Sequence, residues 1–110
     1  MGSLVDRAVF GALREGTDAA FVAELVETFA EEAPRLLEGL RRAQAAGDVA
    51  ALRRHAHALK SNGHTFGAHA FAAAARELEL GGPAAPQDMA ALAAALEALL
   101  AELRELCDAA

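Results

Sequence analysis

Apolar residues return along this chain at intervals of three and four, and no segment alternates in twos, which predicts helices and no strands. A short leading helix starts at Ser3 or Asp6, which have capping-box spacing, and runs to Arg14. Gly16 ends it, and Thr17 or Asp18 caps the next helix. That second helix carries Val22, Leu25, Val26, Phe29, Ala33, Leu36, Leu37 and Leu40 on one wide stripe and ends near Ala46. Pro34 lies inside it, and because the stripe stays in phase on both sides a kink is expected there instead of a break. Gly47-Asp48 reads as a stop followed by an N-cap, so the third helix turns back antiparallel.

The third helix runs to about His64, with Val49, Leu52, Ala56, Leu59 and Gly63 as its core stripe. Gly67 allows the bend into a fourth helix, Ala68 to Leu80, whose apolar face uses Phe71, Ala74, Ala75 and Leu78. Gly81-Gly82-Pro83 opens the clearest loop, which extends to Pro86. A last helix from Asp88 to about Cys107 places Met89, Leu92, Ala93, Leu96, Leu99, Leu100, Leu103 and Leu106 at helical spacing. The expected fold is all-α: an antiparallel up-down four-helix bundle with a short extra N-terminal helix, one domain over 1–110.

Composition narrows the setting. The single cysteine excludes an internal disulfide and fits a reducing compartment. No signal-peptide layout opens the chain, and the apolar stretch from Met89 to Leu103 is too short and too interrupted to span a bilayer. A cytoplasmic protein with no membrane partner is expected. The net charge of −6 argues against nucleic acid. Its distribution adds more: from Val49 to Arg76 there is no Asp or Glu, while Arg53, Arg54, Lys60 and Arg76 lie inside. Such a basic face on an acidic protein suits a carboxylate-rich partner, although the two arginines could equally be solvating an exposed surface.

His57 stands one residue out of register with the third helix's core stripe, so its imidazole is expected to face solvent. Arg53, Arg54, Lys60 and Ser61 are its neighbours at three and four positions, and His64 lies two turns on. An imidazole among cations suits an anion, and phosphate is the natural candidate. Lys60 can bring its ammonium to the phosphoryl oxygens, and Ser61 or Asn62 can donate a further hydrogen bond. Gly63 and Gly67 fit close helix packing and the turn, and Phe66 fits the core under the active helix.

The run H-A-L-K-S-N-G-H-T-F-G-A from His57 to Ala68 resembles the histidine phosphotransfer (HPt) domain of two-component phosphorelays. The likeness extends from Phe21 through Glu79, with His57, Leu59, Lys60, Phe66, Gly67 and Ala68 in matching spacing. The resemblance implies that His57 attacks through Nε2 with Nδ1 facing inward, and that a polar residue of the following helix lies beside the ring. Glu79 occupies that position and is the candidate orienter, a plain surface acid being the alternative. The family usually has glycine after the lysine, where a partner backbone comes close. Ser61 stands there instead, which implies altered partner affinity or choice.

The expected function is therefore a phosphohistidine carrier and not an enzyme in its own right. It would take a phosphoryl group from the aspartate of a response-regulator receiver domain and pass it to another receiver. Arg53, Arg54, Ser61, Asn62 and His64 are the candidate docking surroundings. A hybrid sensor histidine kinase is a further candidate partner. No cofactor is expected on this chain, since the Mg²⁺ and the catalytic groups would belong to the receiver. The alternative is a helical adaptor that docks a receiver or kinase without carrying phosphate. His55, His57, His64 and His69 do not have the spacing of a zinc site, and no phosphate-cradling glycine loop is present. The initial Met and compact ends fit a separate protein, and a module cut from a kinase would look the same.

Overall fold

The computed structural model describes residues 3–82 and 89–108. They form α1 (Arg7–Gly16), α2 (Ala19–Ala46), α3 (Val49–Thr65), α4 (His69–Gly81) and α5 (Met89–Asp108), with no strand among the described residues. The four long helices make the bundle. α2 packs between α3 and α5, and α3 packs most closely on α4. The Pro83–Pro86 loop and the start of the last helix expected at Asp88 lie outside the described residues.

Local chemistry sets most of the boundaries. Asp6, Asp18 and Asp48 cap α1, α2 and α3, each carboxylate accepting from free backbone N–H groups of the first turn. At the end of α2, Gly47 adopts φ +70°. There Asp48 N donates to Ala43 O at 2.9 Å and Gly47 N to Gln44 O at 3.3 Å. This is a Schellman motif, and only glycine enters that left-handed region freely. The same pairing closes α3 at Gly67, with Ala68 N on Gly63 O at 2.8 Å and Gly67 N on His64 O at 3.1 Å. α2 runs unbroken through Pro34.

Three expectations change. Ser3 does not cap α1, because its Oγ is engaged by Glu102 Oε2 and Val5 O, each at 2.9 Å, and Asp6 caps alone. Val49, placed on the core stripe, is 38% exposed at the first residue of α3, while Leu52 three residues on is fully buried. On α4, Ala72 is buried beside Phe71, Ala75 and Leu78, while Ala74 is half-buried.

The core is purely apolar among the described residues. Leucines from α2, α3, α4 and α5 fill it, including Leu40, Leu52, Leu78 and Leu103, all with no exposed surface. Each contributes roughly 1.5–3 kcal/mol by leaving water. Phe29 stands against Phe66 and Phe71, with ring centroids 5.4 and 6.4 Å away. Small residues let α3 and α4 approach closely: a Cβ on Gly63 would lie 3.1 Å from that of Ala72.

The N-terminal segment is tied across the bundle by polar contacts. Glu102 of α5 accepts from Ser3 Oγ, from Leu4 N at 3.1 Å and from Val5 N at 2.7 Å. Asp6 N donates to Gly67 O at 2.9 Å, and the Asp6 carboxylate meets His69 Nε2 at 3.1 Å.

Candidate functional site

Leu52, Ala56, Leu59 and Gly63 fix the rotation of α3, since all of them are buried. His57 is then carried to the outer surface, where its side chain is 60% exposed. On α4 the buried residue is Leu78, and one residue further on, about 100° around the helix, Glu79 turns toward α3. The two positions meet. Glu79 Oε2 lies 2.5 Å from His57 Nδ1, and Glu79 Oε1 accepts from Lys60 Nζ at 2.6 Å.

One carboxylate therefore braces two side chains of the neighbouring helix. Its own side chain is 19% exposed and that of Lys60 is 21% exposed, so the ammonium–carboxylate pair is mostly shielded while the imidazole is open. The Glu79 carboxyl is held below its ordinary value. The Lys60 hydrogen bond is the main cause, partial burial opposes it, and the His57 contact adds to it. An ionised carboxylate can only accept, so Nδ1 carries the ring proton and donates it. Nε2, across the ring, then holds the lone pair.

The Lys60 ammonium, the candidate for the phosphoryl oxygens, is docked on Glu79. Arg53 and His64, four residues before and seven after His57, share its face of α3 and are exposed. Arg54 and Ser61 are exposed on the flank of that face. Asn62 is half-buried and, five residues on, points about 140° around the helix from His57, away from the imidazole. Phe66 is buried in the core.

The other histidines go elsewhere. His55 lies against α2, where a Cβ on Gly39 would come 2.7 Å from its Nε2. His69 faces Asp6. Among the described residues no three His, Cys, Asp or Glu side chains gather where a metal ion could be held. No described helix is long and apolar enough to cross a membrane. The Lys60–Glu79 pair was not foreseen. The only hint in sequence is that Glu79 lies just past the acid-free stretch that contains Lys60.

An antiparallel helical bundle with an exposed imidazole that is braced from behind by an acid of the next helix defines a histidine-presenting bundle domain. The model of the Hpt domain family matches residues 24–106, and the chain belongs to that family. It is thereby placed in the histidine phosphotransfer family of phosphorelays. α1 and the segment before it precede the matched region. No curated protein and no solved structure matches the chain.

Proposed function

We propose that this chain carries a phosphoryl group on His57 Nε2, taking it from the aspartate of one response-regulator receiver domain and handing it to another. The observation that supports this most is the exposed imidazole whose Nδ1 is occupied by Glu79. A neutral imidazole is a good nucleophile near neutral pH, and the tautomer set by Glu79 leaves the reactive nitrogen outward. Lys60 acts in two ways: it holds Glu79 in place and puts positive charge one turn from the phosphoryl group. Arg53, Arg54, Ser61 and His64 surround the docking area. Asn62 is the weakest of these candidates because of its orientation.

In-line phosphoryl transfer needs the reacting atoms aligned and the charge on the equatorial oxygens offset. His57, Glu79 and Lys60 supply the nucleophile, its orientation and part of the charge. The Mg²⁺ and the remaining groups come from the receiver, which makes this chain a carrier and the complex the catalyst. A hybrid sensor histidine kinase is a natural upstream partner. Nucleic acid and membrane are not partners in this reading, and the domain works in the cytoplasm.

Incubation with a phosphorylated receiver should move label onto this chain in an acid-labile, base-stable form. His57→Gln should abolish that label and leave helicity and melting unchanged. Label that survives in His57→Gln and disappears in His55→Gln or His64→Gln refutes the assignment. A receiver that binds wild type but never labels it makes the chain an adaptor.

A further inference from the structure

Between α4 and α5 the bundle leaves an apolar slot. Its volume is about 120 Å³, and Leu4, Ala70, Phe71, Ala74, Ala95 and Leu99 line it. None of these residues belongs to the site around His57. We propose that the slot binds a small uncharged aromatic molecule, about one ring in size, with the Leu4 side chain as its flap.

Side-chain volume explains why the slot exists. Along the rest of their length α4 and α5 turn leucines inward, among them Leu78, Leu92 and Leu103. Here alanine stands instead, at Ala70 and Ala74 one turn apart on α4 and at Ala95 on α5. Phe71 and Leu99, both buried, form the deep side, while Ala70 and Ala95 are exposed at the opening.

The lining selects the ligand. Every lining side chain is hydrocarbon, so water inside finds none of the polar side chains it needs to settle. An apolar cavity of about 150 Å³ stays dry and accepts benzene, and the slot is only slightly smaller. Charge offers a ligand no hold here. Glu102 lies one turn beyond Leu99, but Ser3 Oγ and Val5 N already donate to its Oε2 and Leu4 N to its Oε1. The Phe71 ring, edge-on to Phe29 at 6.4 Å, gives the slot an aromatic wall and favours a ring over a chain.

Leu4 is placed to act as the flap. Its backbone N–H is fixed on Glu102 at 3.1 Å, and Val5 beside it is buried. The Leu4 side chain is nevertheless 42% exposed where it borders the slot. It can change rotamer without releasing the N-terminal segment from α5.

The test titrates the whole chain, with ¹³C-labelled leucine and phenylalanine, with benzene and then with indole. Saturable shifts should be confined to Leu4, Phe71 and Leu99, with a Kd of about 1 mM. At about ten times that concentration the melting temperature should rise by roughly 5 °C. Ala74→Leu fills the slot from a half-buried position, and Ala70→Leu fills it from an exposed one that leaves the core packing alone. Each should weaken binding by about tenfold or more. Leu4→Ala should still bind and should exchange ligand faster, and His57→Gln should bind as wild type does. Shifts that never saturate, that spread over the surface, or that persist in both filled variants overturn the proposal. Leucine shifts that follow protein concentration without ligand, with a doubled mass in sedimentation, overturn it in favour of a second copy of this chain. Unchanged exchange in Leu4→Ala overturns the flap.

Discussion

Gly63→Ala places a methyl group where α3 and α4 are closest, and the structure predicts that it destabilises the protein. The new Cβ would lie 3.1 Å from Ala72 Cβ and 3.2 Å from Ala72 Cα and N, so two of the three contacts are with backbone. α4 has little freedom to retreat, because Phe71, Ala72, Ala75 and Leu78 are all buried against the core. Two effects oppose each other. Replacing a glycine inside a helix with alanine gains at most about 1 kcal/mol in helix propensity, and Gly63 lies in the last turn of α3. Overpacking a tight contact costs about 1–3 kcal/mol, so a net loss near 1 kcal/mol is expected. For a domain of this size that lowers the melting temperature by roughly 4 °C. Gly11→Ala is the control: it lies inside α1, and its Cβ would meet nothing within 4 Å, so only the propensity gain remains. Thermal melts followed by circular dichroism should therefore move in opposite directions for the same chemical change. A Gly63→Ala protein that melts as high as Gly11→Ala would show that α3 and α4 are not held at this separation. The Nδ1 shift of His57 offers a second readout, since any parting of the two helices draws Glu79 off the ring.

Two further predictions concern charge. Lys60→Met should slow transfer from a receiver severalfold, and should do so much less in a Glu79→Gln background, since both side chains meet at one carboxylate; a stopped-flow double-mutant cycle with fully additive effects would mean that Lys60 acts on the phosphoryl group independently of Glu79. The carboxyls of Asp6, Glu79 and Glu102 are all held below their ordinary values, by His69 and two backbone amides for Asp6, by Lys60 for Glu79, and for Glu102 by three N-terminal donors that outweigh its burial. A carboxyl lowered by folding stabilises fully above its unfolded value, about 4, and that contribution is lost as pH falls through the folded value. Melting temperature should thus hold from pH 7 to about pH 5.5 as far as these groups decide it and fall below about pH 4.5, with a shallower acid fall in Glu102→Gln; an unchanged acid slope in that variant would show that the N-terminal tie adds no stability.

What the sequence determined by itself is what lies within about one helical turn of each residue. Asp18 and Asp48 as caps, Gly47 as a stop and the stripes of α2 and α5 are local signals, and the helices follow them to within a residue or two. The exposure of His57 belongs here too, because a residue out of phase with Leu52, Ala56 and Leu59 must face away once those three are buried. The position of Glu79 beside the ring was legible through resemblance to the family, and the contact itself through tertiary structure alone. The docking of Lys60 on Glu79, the exposed start of α3 at Val49, the turning of Asn62 away from the site and the diversion of Ser3 to Glu102 depend on how far one helix is rotated and slid against another. Periodicity reports which face of a helix is apolar, but it carries no information on register between helices. That register was set by close contacts such as Gly63 against Ala72, between residues that have no special relation along the chain.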